Sequence, residues 1–209
     1  VSDDVPPLVL LWDGPRSAKT TVVLGHGAGA GMDHAFLRTV AEGLAAHGLS
    51  VVRFEFPWQR SVRMGRRRPP DALPVLQEEL RRVAGQCASE RLVLAGKSLG
   101  GRVATTVADE LGAAGVVVFG YPFHPPGKPE RLRTGHLAGL TTPTLILQGE
   151  RDAFGSRAEV SEYVLSPAIS VEWFEAGDHS LVPTVRSGFT AEGHLARAVR
   201  VAAGFVLGR

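Results

Sequence analysis

Apolar residues fall along the chain in two alternating patterns. Short runs over residues 8–12, 20–25, 51–56, 91–95, 115–119, 144–148 and 170–175 read as strands. Several of them, such as TTVVL and GVVVF, are unbroken apolar runs, as expected of strands buried on both faces. Between them lie segments with helical spacing. Residues 35–47 carry Phe36, Leu37, Val40 and Leu44 on one face, and Gly48 stops them. Residues 72–87 do the same with Leu73, Leu76, Leu80, Val83 and Ala84. Residues 99–111, 156–165 and 191–207 are the remaining helices, and 57–70 reads as an arginine-rich loop. Alternating strand and helix predict an α/β fold: a three-layer α/β/α sandwich around a mostly parallel, doubly wound sheet, one domain over residues 1–209. Such sheets bind ligands beyond the carboxyl ends of their strands. The loops after Gly25, Phe56, Ala95, Phe119, Gln148 and Glu175 are therefore where chemistry is expected.

Composition narrows the classes. Hydrophobic residues at 44% and charged residues at 21% are those of a folded globular chain, not a disordered one. A net charge of +2 is too weak an excess for a dedicated nucleic-acid binder. Cys87 is the only cysteine, so no intrachain disulfide forms and nothing argues for an oxidising compartment. No run is long enough to span a membrane, and the opening VSDDVPP lacks the features of a signal peptide. The expectation is a cytoplasmic protein with neither a nucleic-acid nor a membrane partner. No His, Cys, Asp or Glu cluster has metal-ligand spacing, so neither metal nor cofactor is expected.

The candidate nucleophile is Ser98, in the Gly96-Lys97-Ser98-Leu99-Gly100 pentapeptide between strand 91–95 and helix 99–111. A strand–serine–helix turn this tight lifts the hydroxyl above the sheet at a helix N-terminus, and side chains at Gly96 and Gly100 would collide across it. The competing reading makes Ser98 a plain helix N-cap. Serine needs a base, and the base an orienting acid, in the chain order Ser, acid, His. Of seven histidines only His179 and His194 come late enough. His194 falls in the last helix, on its exposed side, whereas His179 follows strand 170–175 at the correct sheet edge. Asp152, just after strand 144–148, is the chosen acid. Glu150 in the same loop is the alternative. Asp178 is the other, but adjacent side chains diverge, and hydrogen bonding to its own loop suits it better. Oxyanion donors are expected from the Leu99 amide and from Ala28 or Gly29 in the glycine-rich loop 25–31, with Ala28 favoured. That loop also fits the dinucleotide fingerprint, with Glu55 as the ribose acid. Glu55 lies 30 residues beyond Gly25, however, against the usual ~20, and a nicotinamide oxidoreductase leaves Ser98, Asp152 and His179 without a role.

With these residues in place, the stretches LGHGAGAGMDH, RFEFPW, GRRRPPD, LAGKSLGGRVA, GYPFHPPGKPE, LQGERDAFG and GDHS resemble the α/β-hydrolase superfamily on its dienelactone-hydrolase-like side. More closely, the chain is similar to the short family that holds the testis-expressed thirty proteins and the third subunit of the NSL acetyltransferase complex. The resemblance implies the α/β-hydrolase fold, with Ser98, Asp152 and His179 as nucleophile, acid and base. Many dienelactone hydrolases carry cysteine at the elbow, and that chemistry does not transfer to Ser98. The implied activity is a serine hydrolase that cleaves a small or accessible ester, or a related acyl bond, through an acyl-enzyme. Because relatives include a protein-complex subunit, the alternative is a non-catalytic interaction module on the same scaffold.

Two features bear on the substrate. Arg60, Arg63, Arg66, Arg67 and Arg68 crowd nine residues. They are either solvated surface or, through Arg67 and Arg68 bordering the crevice, a fork for a carboxylate or phosphate on a small-molecule acyl substrate. Lys97 adds positive charge inside the elbow. Residues 120–143 are too short and proline-rich for a substantial cap. Trp58, Tyr121 and Phe123 are then either the walls of a shallow pocket or ordinary packing.

Overall fold

Parallel strands with apolar residues at every position must be covered on both sides, and the described residues form six α-helices around one sheet. A computed structural model describes residues 6–87 and 89–208. The order is β1 (Leu11–Asp13), β2 (Thr20–Gly25), α1 (Ala35–Ala46), β3 (Ser50–Phe54), α2 (Pro57–Arg63), α3 (Leu73–Gly85), β4 (Arg91–Lys97), α4 (Leu99–Val107), β5 (Gly115–Phe119), β6 (Thr144–Gly149), α5 (Arg157–Val160), β7 (Ile169–Phe174) and α6 (Ala191–Leu207). The strands lie in the order β1-β3-β2-β4-β5-β6-β7. β1 is antiparallel to β3 and every other pairing is parallel.

Alternate side chains of each strand serve opposite faces. Val22, Leu24, Val93 and Ala95 point into one core with α1 and α6; Val23, Leu94, Val116 and Val118 point into the other with α3 and α4. From β2 the chain winds to β3 in one direction, then crosses back to β4 and runs to β7 in the other. The direction of winding reverses between β2 and β4, and a crevice opens there, beyond their carboxyl ends. Gly25 and Gly96 pair at this point, so the glycine-rich loop and the Ser98 turn leave the sheet side by side.

Three elements differ from the sequence expectation. Residues 57–63 form helix α2 rather than loop. Pro57 suits the first helical turn, where no N–H is needed, and Trp58, Arg60 and Ser61 are buried beneath it. The helix expected over 156–165 is the single turn α5, closed by a capping box of Ser156 and Glu159. The first strand is confined to Leu11–Asp13, set by its pairing with Val51 to Arg53.

Candidate active site

Ser98 sits between β4 and α4 with φ 50° and ψ −111°, a conformation that costs an L-residue energy. The turn is closed by Ser98 N–H donating to the Phe119 carbonyl at 3.1 Å, while Arg102 N–H donates back to the Ser98 carbonyl at 2.9 Å. A Cβ on Gly96 would lie 2.3 Å from the Gly100 carbonyl carbon, and one on Gly100 would lie 2.5 Å from the Gly25 carbonyl oxygen. Only glycine lets the first turn of α4 press so closely on β2. The Ser98 side chain makes no capping bond to α4, which removes the N-cap reading. Its Oγ instead meets His179 Nε2 at 2.8 Å.

His179 rides the loop after β7. Asp178 shapes that loop, its Oδ1 accepting from the amides of Ser180 at 2.8 Å and Val182 at 3.0 Å. The His179 Nδ1 lies 2.7 Å from Asp152 Oδ2. Asp152 is 1% exposed; its Oδ1 accepts from Phe154 N–H at 2.8 Å, and its Oδ2 also accepts from Gln148 Nε2 at 2.7 Å. An ionised carboxylate only accepts, so Nδ1 carries the imidazole proton and Nε2 offers its lone pair to the Ser98 hydroxyl. Glu150 is turned elsewhere, accepting from Ala176 N–H at 3.1 Å and Arg157 Nη1 at 2.8 Å. Burial pushes the His179 pKa below 6.5, the Asp152 bond opposes that shift, and the Lys97 charge adds to it. The imidazole is thus neutral at pH 7, ready to accept a proton. Cys87 is no rival nucleophile, since burial pushes its thiol up to about 11.

A sequence profile for the alpha/beta hydrolase domain matches residues 18–207. The chain belongs to that family. Solved structures agree on the fold of this α/β-hydrolase. A serine hydrolase without a lid from Xanthomonas campestris is 21% identical, with 98% of this chain and 88% of that one covered at a TM-score of 0.67. Dienelactone hydrolase from Anabaena variabilis is 20% identical, with 96% and 91% covered at 0.73. A monoacylglycerol lipase from Paleococcus ferrophilus is 14% identical, with 97% and 99% covered at 0.70.

Beside Ser98 and His179 the hydrolase has a cavity of about 610 Å³ whose apolar wall includes Phe36, Leu37, Phe154, Val182 and Leu195. Ala28 and Gly29 line it together with Ser98 and His179. Leu99, the first residue of α4, has no intrahelical acceptor for its amide. The cavity is not where the aromatic residues around the arginine loop place it. Trp58 is 2% exposed and Tyr121 and Phe123 0%, all three inside the core on the α3/α4 face. Arg67 and Arg68 are exposed and line no part of the cavity, and Arg68 pairs with Asp71. Arg60 is buried against Glu79, and Arg63 binds Glu55 and Asp33. Glu55, buried and held by Arg63 and by Met32 N–H at 3.3 Å, is not open to a ribose, so the dinucleotide reading fails on its acid. His194 is also not exposed: at 3% it packs on Phe174 with Nδ1 2.9 Å from the Leu181 carbonyl oxygen.

Several contributing residues escape sequence reasoning. Gln148 ties Asp152 to Tyr121, its Oε1 accepting from Tyr121 N–H at 2.7 Å; its one legible sign was an amide closing an otherwise apolar strand. Phe154 stacks on His179 with centroids 4.1 Å apart. His26 is buried, its Nε2 accepting from Phe56 N–H at 3.1 Å and so joining the loops after β2 and β3. Among the described residues no group of three or more His, Cys, Asp or Glu could hold a metal ion, and no helix is long and apolar enough to cross a membrane.

Proposed function

We propose that this hydrolase cleaves an uncharged carboxylic ester with an apolar acyl or alkyl group, through an acyl-enzyme on Ser98. The observation that carries the reading is the continuous chain from Ser98 Oγ to His179 Nε2 at 2.8 Å and from His179 Nδ1 to Asp152 at 2.7 Å. Ser98 Oγ attacks the ester carbonyl carbon while its proton passes to His179 Nε2. Asp152 holds the imidazole in the tautomer that can accept it and steadies the imidazolium. The carbonyl oxygen gains negative charge in the crevice, where the Leu99 amide and the Ala28 amide are the donors. His179 returns the proton to the leaving alcohol, then repeats the cycle with water to free the acid. The apolar cavity wall favours a substrate whose non-reacting part is hydrocarbon.

A fluorophosphonate tests this directly. It is expected to label the folded wild type once, on Ser98, and not to label Ser98→Ala. Labelling that persists in Ser98→Ala would move the nucleophile elsewhere. A folded wild type that resists labelling would favour the interaction module.

A further inference from the structure

Lys97 sits one residue before the nucleophile and has no part in the scheme above. It is part-buried, and Nζ donates to the His179 carbonyl oxygen at 2.6 Å. Among the described residues it forms no ion pair; Asp152 and Asp178 act on it at longer range, and the Phe36 ring centroid lies 5.8 Å from Nζ. Removing an ammonium from water is costly; burial brings its pKa down to about 8 against the pull of the Asp152 and Asp178 charges, so it is still mainly charged at pH 7. A methionine could fill the same space without that cost. The surroundings are also cut back to admit it. Gly120, at φ 70°, is the residue after β5, and a Cβ there would lie 2.6 Å from the His179 carbonyl oxygen and 3.0 Å from Lys97 Nζ. Glycine is needed at this spot both for the turn and for the contact.

We propose that Lys97 is a positioning residue for His179: its ammonium ties the base's backbone to the nucleophile's own turn and sets a positive charge beside the imidazole. This rests on the reading of Ser98, His179 and Asp152 as the catalytic triad. The tie is short. One hydrogen bond joins the last residue of β4, just before Ser98, to the carbonyl of the residue whose Nε2 must meet Ser98 Oγ, so the two loops cannot drift apart independently. The charge acts on protonation. The charged groups facing His179 are Asp152 from the loop after β6, Asp178 from its own loop and Lys97 from β4; Glu192 and His34 line the same cavity from α6 and from the residue ahead of α1. Burial does most to disfavour the imidazolium, two carboxylates favour it, and Lys97 is the cation that works with burial against them.

The test follows the His179 imidazole by NMR titration, which needs no turnover, beside ester hydrolysis across pH. Lys97→Met removes a positive charge, so the imidazolium becomes easier to form. The His179 pKa and the acid limb of kcat/KM are both expected to move up by about one pH unit, with kcat about tenfold lower and KM within about twofold. Lys97→Arg keeps charge and donor, so the His179 pKa stays near that of the wild type. Should Lys97→Met not fold, Lys97→Gln removes the charge with a polar side chain and carries the same readouts. An unchanged His179 pKa in the neutral variants, or an equal rise in Lys97→Arg, overturns the proposal, since a purely structural brace changes melting temperature and not the titration. A wild type that takes no phosphonate on Ser98 refutes the triad instead, which separates the two failures.

Discussion

Ser98 shows how one residue's backbone pays for its chemistry. Its φ of 50° costs energy that a serine in a plain helix cap would not spend, and the return is an Oγ freed from α4 and aimed at His179. The glycine–x–serine–x–glycine spacing made that legible, because close approach across the turn is a local matter of neighbouring Cβ atoms. His179 and Asp152 were legible from their places after strand ends. Their partners were not. Gln148 and Phe154 contact Asp152 and His179 across loops, and nothing in a linear sequence states which amide or which ring will face them. The acid assignment has a sharp consequence. Asp152→Asn keeps the hydrogen-bonding shape but favours the wrong imidazole tautomer, so kcat is expected to fall about ten-thousandfold with the fold intact by circular dichroism. Glu150→Gln, which removes a carboxylate bonded to Arg157 and Ala176, should leave steady-state ester hydrolysis within about twofold of wild type. A large loss in Glu150→Gln with a mild one in Asp152→Asn reverses the assignment.

Helix α2 is the element that sequence reasoning took for a loop. Arginines and a short span give it little amphipathic pattern, and seven residues are too few to hold a helix by themselves. What holds it is tertiary. Arg60 donates to the Glu55 carbonyl at 2.7 Å and to the Pro6 carbonyl at 2.9 Å, and its guanidinium meets the Glu79 carboxylate of α3 with both side chains 7% exposed. Breaking such a pair from one side leaves an uncompensated buried charge and costs roughly 3–5 kcal/mol. Glu79→Leu alone is therefore expected to lower the melting temperature by roughly 6–20 °C. The double variant Arg60→Met with Glu79→Leu should recover at least half of that loss, because no charge remains buried. Thermal unfolding of the three proteins decides it, and an unchanged midpoint in Glu79→Leu would mean that α2 is anchored by other contacts.

At the scale of the molecule, the cavity is assembled from parts far apart in the chain: the loop after β2, α1, Lys97 and Ser98, the loops after β6 and β7, and the start of α6. They converge because the winding reverses between β2 and β4 and because α1 and α6 cover the same face of the sheet. The cavity wall is mostly apolar, and each buried methylene contributes roughly 0.8 kcal/mol, or about fourfold in kcat/KM. In a series of 4-nitrophenyl esters, kcat/KM is expected to climb by about that factor per carbon from acetate to hexanoate. Leu195→Trp, which fills the cavity from α6, should flatten the climb while acetate turnover changes little. A flat series in the wild type would place the hydrocarbon outside this cavity.

The sequence by itself determined the fold class, the strand order in time along the chain, and the turn that presents Ser98. Each depends on neighbours within a few residues: apolar runs, helical spacing, glycines where backbones touch. It also placed Asp152 and His179 at strand ends, since the alternation of strand and helix fixes which loops share an edge. Only the tertiary structure decided which side chains face each other across those loops. It sent Trp58 and Tyr121 into the core rather than to a pocket wall, paired Arg68 with Asp71 away from the cavity, buried His194 against Phe174 and set Lys97 on the His179 carbonyl. The physical reason is that burial and pairing are properties of three-dimensional neighbours. An aromatic ring or an arginine carries the same letter whether it lines a crevice, fills a core or meets a carboxylate 40 residues away, as Arg53 meets Asp13.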